Sequence, residues 1–332
     1  MSFFSTVADF LKPTFASAPP PGPELLKALA WVRERVDPTL RAAGNFDKRL
    51  AQPLGHAIDY CAGVIGALPG PTAIDHRAFA DDPLVHALFA TADDVRQMLG
   101  RSQAVRDFLA SPASWQADHF HALLVARRQE KKQLGMKRAG DVIENDVPQR
   151  ILFFSDQALI EPHCDLEGLR QRLRQRALES LLQTFQAHLD ALRHEREGLS
   201  AESAVERSHL TVLRGITDGP AHAVHTRHLA EVDARLREVI ETLMPDPLLD
   251  ALGDFLHAPE PALRLSPFSV SIDRLGVICE AGSDSSVQTL RFPELASRDQ
   301  RLHLAMLARV DRAEAEEAVA AVRDQQRRFM LI

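Results

Sequence analysis

The chain has 332 residues, 45% of them hydrophobic, and a formal net charge of −7 at pH 7. This composition argues against wholesale disorder, and the mildly acidic charge argues against broad, non-specific binding to nucleic acid or anionic membrane. The three cysteines, Cys61, Cys164 and Cys279, lie too far apart for a disulfide framework or a zinc site. We find no secretory signal or membrane span and expect a cytoplasmic protein, bacterial by its arginine- and alanine-rich composition.

Residues 1–23 have the pattern of an arm followed by a stiff connector. Apolar residues cluster between Phe3 and Leu11, and the proline-rich run from Ala18 to Pro23 favours an extended chain. Two interpretations of the apolar group stay open. We favour a short helix that folds back on the body, because an anchor to a membrane surface usually carries basic residues on its polar side.

Residues 24–132 show apolar residues at helical spacing and predict an N-terminal helical region. Asp82 before Pro83 is a helix cap followed by proline at the first helical position. Thr91, followed by acidic residues, marks another helix start. The last helix of this region is predicted from Ser114 to about Lys132.

Two distant segments carry β signals. Residues 133–160 predict a β-hairpin with its turn around Gly140, and residues 263–293 predict a second β segment in which apolar and polar residues alternate. Because both segments are short and have edges that need partners, we predict that they pair into one small antiparallel sheet.

The strongest helical patterns lie between these segments, in a predicted long-helix layer over 165–258. One helix is predicted from Asp165 to about Glu197 and another from Gly219 to Met244, joined by a shorter helix over 200–215. Both long helices carry apolar residues in steps of three and four, a row that we call the seam and that is typical of packed helices. A C-terminal helix is predicted over 297–327.

The predicted fold class is therefore α+β and predominantly α-helical: a helical bundle or layer with one small antiparallel β-sheet formed from two distant segments. One compact body is slightly favoured over two domains. Common catalytic motifs are missing from the sequence, including glycine-rich phosphate loops, G-x-S-x-G, paired C-x-x-C and H-E-x-x-H. We assign no catalytic residue and predict no cofactor, while leaving a transition metal open.

Histidine is concentrated in one region, since six of the fourteen histidines fall within residues 188–228. Glu206 and His209 have the i, i+3 spacing that di-iron carboxylate bundles use twice. We favour histidines that are solvated or hydrogen-bonded at the ends of a helical interface; the alternative is a metal or pH-sensing cluster. The candidate metal ligands are His188, His194, Glu206, His209, His222 and His225.

A basic run holds three of the chain's six lysines. It could attract nucleic acid or another anionic ligand. Aromatic residues for stacking are missing from it, and its predicted place at a helix C-terminus would itself favour cations, so we prefer a solvated helix end. The candidate anion-binding residues are Arg127, Arg128, Lys131, Lys132, Lys137 and Arg138.

Three functional hypotheses follow. The favoured one is a non-enzymatic interaction or regulatory protein that holds a protein partner, or a second copy, through its helical faces. The second is a metal-dependent enzyme or a metal or pH sensor built on residues 188–228. The third is binding of nucleic acid or an anionic ligand through residues 127–138, with nucleic acid the less expected partner.

Overall fold

A computed structural model of the protein describes residues 22–139, 142–213, 220–273, 275–279, 287–296 and 302–330. The predicted arm lies outside the described residues except for its last two positions. The α-helices are α1 (Pro23–Arg35), α2 (Phe46–Gly66), α3 (His76–Asp81), α4 (Pro83–Leu88), α5 (Ala92–Arg101), α6 (Gln103–Leu109), α7 (Leu166–Leu213), α8 (Pro220–Thr242), α9 (Pro245–His257) and α10 (Arg312–Met330). Short 3-10 helices cover Pro38–Ala42 and Pro112–Gln116.

The strands form one curved sheet. They are β1 (Thr72–Ala73), β2 (His119–Ala139), β3 (Val142–His163), β4 (Arg264–Ile272), β5 (Gln288–Ala296) and β6 (Leu302–Asp311). The order is β3-β2-β6-β5-β4, all antiparallel, and β1 adds to β6 in parallel. Bridges from Val277 to Ile151 and from Ile278 to Ile272 connect the two outer strands, so the sheet curls towards itself.

Helices cover both faces of the central strands. On one face, Leu123 of β2 and Leu307 of β6 join the core formed with α1, α2, α7 and α9. On the other face, Leu124 and Met306 join the core formed with α4, α5 and α10. The neighbouring residues Leu123 and Leu124 are therefore both buried, although their side chains point to opposite sides of the sheet.

Burial on both faces explains two wrong predictions. The predicted helix from Ser114 to Lys132 is mostly strand β2, and the first described part of the predicted helix 297–327 is strand β6 before α10 begins. A strand that is buried on both faces reads as a continuous apolar run, such as Ala122–Ala126, and lacks the alternation that marks a one-sided strand. Residues 297–301 lie outside the described part.

The predicted hairpin is present but longer than predicted, because β2 and β3 pair from Ala139↔Val142 back to His121↔His163. The predicted second β segment provides β4 and β5, with residues 280–286 outside the described part. Both segments belong to one sheet and touch directly at the Ile151–Val277 bridge. The prediction of a small sheet was wrong, because β6 lies between them as a fifth strand and β1, which pairs with β6, is the sixth.

Helix α7 runs without a break from Leu166 to Leu213, where two helices were predicted. Gly198 and Ser200 suggested an interruption. A glycine inside a helix costs only about 1 kcal/mol, which continued packing against a neighbouring helix can offset. This correction places Glu206 and His209 on the same long helix as His188.

The mixed, helix-rich class is confirmed, whereas a helical bundle and one compact body stay predictions. The helix starts at Pro83 and after Thr91 are confirmed: Asp82 caps the backbone N–H of Leu84, and Thr91 forms a reciprocal capping box with Asp94. Within the described ranges, no helix combines the length and apolar character needed to cross a membrane.

Candidate metal site in the helical hairpin

The C-terminal half of α7 packs antiparallel on α8, and we call residues 190–213 and 220–242 the helical hairpin. Two side-chain pairs define its register. Arg235 Nε lies 2.7 Å from Glu195 Oε1, and His228 Nε2 lies 2.9 Å from Glu202 Oε1. As the residue number rises on α7 it falls on α8. The two helix ends at Leu213 and Pro220 are therefore neighbours at the far end of the hairpin.

The side chains in the seam between the two helices change from apolar to polar along the hairpin. On α8, Val232 and Val239 are buried and Leu236 is half-buried between them. On α7, Ser203 and Glu206 follow Leu199 at steps of four and three, so polar side chains occupy the seam positions. The base of the hairpin is held by apolar contacts, whereas its far end is polar.

Three of the predicted ligands meet in the polar part of the seam. His225 Nδ1 lies 2.7 Å from Glu206 Oε2, and His209 Nδ1 lies 3.9 Å from Glu206 Oε1. The two imidazole rings are 5.5 Å apart and nearly perpendicular. The Glu206 side chain is 12% exposed, that of His225 35% and that of His209 54%. The group therefore runs from the nearly buried seam to the surface.

Polar neighbours surround this group on the same two helices. Ser203 is buried, and its hydroxyl donates to Asp233 at 2.7 Å, while Arg207 donates to both oxygens of Asp233 at 3.1 Å. The Glu202–His228 pair lies about one turn from the Glu206–His225 pair. Every carboxylate of the polar seam thus has a partner on the opposite helix or on its own helix.

The electrostatics favour the ionised forms of Glu206 and Asp233. The hydrogen bond with His225 holds the pKa of Glu206 below its ordinary value, and the charges of His225, His228 and His209 act in the same direction against the effect of burial. Hydrogen bonds from Ser203 and Arg207 lower the pKa of Asp233 in the same way. A carboxylate must be deprotonated to bind a metal ion, so Glu206 is already in the required state.

The geometry fits a metal ion. One ligand atom from each of Glu206, His209 and His225 lies within 4.8 Å of the other two. Two imidazoles and one carboxylate are a donor set that Zn²⁺ and other first-row divalent ions accept. Three protein ligands leave a tetrahedral ion one further position, which the exposed side of His209 makes accessible to solvent.

The other three predicted ligands are not brought together with these. His188 and His194 are exposed. His194 precedes Glu206 by twelve residues on one continuous helix, which separates them by about 18 Å at 1.5 Å per residue. His222 is half-buried one turn from His225, where its Nδ1 lies 3.5 Å from the Thr226 hydroxyl.

The basic run lies on strand β2, not at the predicted helix end. Arg128 is used inside the protein: its guanidinium donates to Glu294 at 2.6 Å and to Glu130 at 2.7 Å, and it lies 4.0 Å from the centre of the Phe268 ring. Arg127, Lys131 and Lys132 are exposed. The side chains of Lys137 and Arg138 lie outside the described part.

Sequence reasoning missed the supporting residues Glu202, Ser203 and Asp233. Ser203 and Glu206 continue the seam of α7 in phase from Leu199, which was a usable signal once α7 is treated as one helix. Asp233 offered no comparable signal, because it lies beside the α8 seam and not on it. No family model, curated protein or solved structure matches the chain, so the geometry of its own residues is what supports a function.

Proposed function

We propose that the protein binds one divalent transition-metal ion, with Zn²⁺ as the reference ion, through Glu206, His209 and His225. The observation that carries the proposal is the approach of the three ligand atoms to within 4.8 Å of one another across two helices. The role that fits best is a metal-responsive binding protein, in which the ion joins α7 to α8.

The required rearrangement is small. Zn–N and Zn–O bonds of about 2.0–2.2 Å place two ligand atoms of a tetrahedral ion about 3.4 Å apart. Glu206 and His225 are closer than this at 2.7 Å, and Glu206 and His209 are further apart at 3.9 Å. The three ligand atoms lie within 4.8 Å of one another, so changes of at most about 1.4 Å in their mutual distances suffice. The proton of the hydrogen bond between Glu206 and His225 leaves as the ion enters.

The position of the site favours a linking role over catalysis. The ion would cross-link the helices where the seam lacks apolar side chains. A catalytic metal usually works in a cavity that excludes water, whereas His209 is 54% exposed. A cleft of about 710 Å³ lies beside Leu88, Phe153 and Leu290 and includes none of the three ligands.

An interaction function through the helical faces stays a prediction. The α7 seam residues that suggested it, including Leu182 and Leu189, belong to the core formed with α1, α2 and α9, and Val232 and Val239 of the α8 seam are buried. A metal-linked hairpin is compatible with a protein partner that completes the open coordination position, but the convergence of three ligands is the more specific observation.

The test is a calorimetric titration of tag-free protein with ZnCl₂. We expect one equivalent to bind, with an affinity at least about 100-fold weaker in His225→Ala and at least about 10-fold weaker in His209→Ala, because each variant removes a ligand. Matched controls are His188→Ala and His194→Ala, which remove histidines of the same helix outside the site. Uptake below about 0.1 equivalent, or an equal loss in the controls, contradicts the proposal.

A further inference from the structure

The outer part of the β2–β3 hairpin is a two-stranded ribbon, and we call residues 128–139 and 142–150 the β-ribbon. The pairing of β2 with β6 ends at Arg127↔His303. On the β3 side, the last contacts are those of Arg150, Ile151 and Leu152 with residues 276–278. In the described part of the chain, the strands beyond Lys132 pair only with each other, over about 24 Å at 3.4 Å per residue.

Cations lie on both faces of the β-ribbon. Consecutive residues of a strand point to opposite faces, so Lys131 and Lys132 are separated, and both are exposed. Arg150 lies directly opposite Lys132, and like charges in that position destabilise a sheet. Arg150 reaches Glu130, whereas neither lysine has an ion-pair partner among the residues that the structure describes. Stability alone does not account for this arrangement.

Apolar side chains follow the cations towards the turn. Leu134 is 65% exposed and Met136 is 71% exposed. Pro148, which is exposed as well, lies opposite Leu134. Large apolar side chains on a projecting, charged element are costly to hydrate and suit contact with an apolar part of a ligand.

We propose that the β-ribbon binds duplex DNA by entering the major groove edge-on. The major groove, about 12 Å wide, admits a two-stranded ribbon. In that orientation the two faces of the ribbon point to the two sugar–phosphate walls. Lys131 and Arg127 on one face, and Lys132 and Arg150 on the other, then reach phosphates of opposite strands. Leu134, which shares a face with Lys132, packs against the deoxyribose carbons of the strand that Lys132 reaches.

The distribution of charge favours duplex DNA over other anions. A small anion needs cations that converge on one face. A single strand needs aromatic side chains for stacking, and the sequence has none from Arg127 to Arg138. The major groove of an RNA duplex is too narrow for side chains to read. Glu144 and Asp146 are exposed near the turn, which places the phosphate contacts nearer the base of the ribbon.

The strand structure of the run also removes the explanation that cations stabilise a helix C-terminus there. The acidic net charge of −7 belongs to the whole chain, whereas the salt dependence of binding is set by the cations that contact phosphates. Four phosphate contacts predict a slope of about −3.6 in a plot of log affinity against log salt, and an affinity loss of roughly 100-fold between 50 and 200 mM.

The test is fluorescence anisotropy of the full chain with a labelled 30-base-pair DNA duplex at several salt concentrations. Lys131→Glu/Lys132→Glu should weaken binding at least about 10-fold at 50 mM salt and reduce the slope by about 1.8. The matched control is Lys27→Glu/Lys48→Glu, which lowers the net charge equally at exposed lysines of α1 and α2. It should stay within about 3-fold of the wild type, since non-contacting charges act only at long range.

Lys131→Gln/Lys132→Gln, which removes charge without reversing it, should give an intermediate loss while circular dichroism stays at the wild-type signal. The proposal is overturned if the wild type does not bind DNA at 50 mM salt, or if both glutamate double variants lose affinity equally. An RNA duplex of the same sequence that binds as tightly as DNA also overturns it, because the groove geometry then plays no part.

Discussion

The helical hairpin and the β-ribbon are both antiparallel two-element arms, but they arrange their polar residues in opposite ways. In the hairpin, steps of three and four keep Ser203 and Glu206 on one side of α7, where Ser203 faces Asp233 and Glu206 faces His225. In the ribbon, a step of two sends Lys131 and Lys132 to opposite faces. Side chains that converge on one point suit a small ion, which needs several ligands at once. Cations that are spread over two faces suit an extended polyanion.

The arms also differ in what holds them together. Cross-strand backbone hydrogen bonds connect the ribbon along its length, whereas the helices of the hairpin meet only through side chains such as Val232, Val239 and Ser203. Side-chain substitutions in the seam should therefore affect the hairpin strongly and leave the ribbon intact. Three changes test this difference, beginning with the largest expected effect.

Val239→Asp should loosen the base of the hairpin. Val239 is buried in the seam, so the new carboxylate would lose its water without gaining a partner, and we expect the free energy of unfolding to fall by about 3 kcal/mol. Urea unfolding measures this loss, and Zn²⁺ affinity should fall with it while DNA affinity stays. The control Ala230→Asp lies on the exposed side of α8 and should cost no more than about 0.5 kcal/mol.

Glu294→Ala should weaken the base of the ribbon. Glu294 is buried and accepts from Arg128, so its removal leaves a largely enclosed guanidinium without its strongest partner. We expect a loss of about 1–3 kcal/mol in urea unfolding, with Zn²⁺ affinity unchanged. Glu317→Ala, at an exposed position of α10, is the control. A stability equal to that of the control would show that the Arg128–Glu294 pair does not hold the ribbon.

A lower pH should destabilise the hairpin more than the ribbon. The lowered pKa values of Glu206 and Asp233 mean that both ionised carboxylates stabilise the folded state above their unfolded pKa values, near 4.5 and 3.8. That stabilisation is lost as the pH falls through the lower folded values. Wild-type stability should therefore drop more between pH 5 and pH 3 than that of Glu206→Gln/Asp233→Asn, as measured by urea unfolding. Parallel curves would contradict this interpretation.

The sequence predicted elements well where their periodicity is one-sided. The seam of α8 and the capped starts of α4 and α5 are of this kind, since each depends on residues within a few turns. The first part of β2 and the whole of β6 were missed, because Leu123 and Leu124, or Ala305 and Met306, are buried on opposite faces of the sheet. No local pattern distinguishes such a run from a buried helix.

Part of the candidate site was also predictable from one-sided helical spacing. Glu206 and His209 share a helical face, and both His222 and His225 lie in phase with Leu229, so spacing selected the three ligands but did not separate His225 from His222. The inclusion of His188 and His194 depended on where α7 ends, because the predicted helix ended near Glu197 and placed both histidines close to the start of α8. The partners of the site on the opposite helix depend on the register between α7 and α8, which sequence spacing does not fix.

The central claim is that one metal ion is held by two histidines and one glutamate. X-ray absorption at the zinc edge, on protein loaded with one equivalent of Zn²⁺, tests it most directly. We predict that the zinc ion is coordinated by two imidazole nitrogens and two oxygens, one from Glu206 and one from solvent, at about 2.0–2.2 Å. A coordination shell that contains sulfur, four imidazoles or only water oxygens would contradict the proposed site.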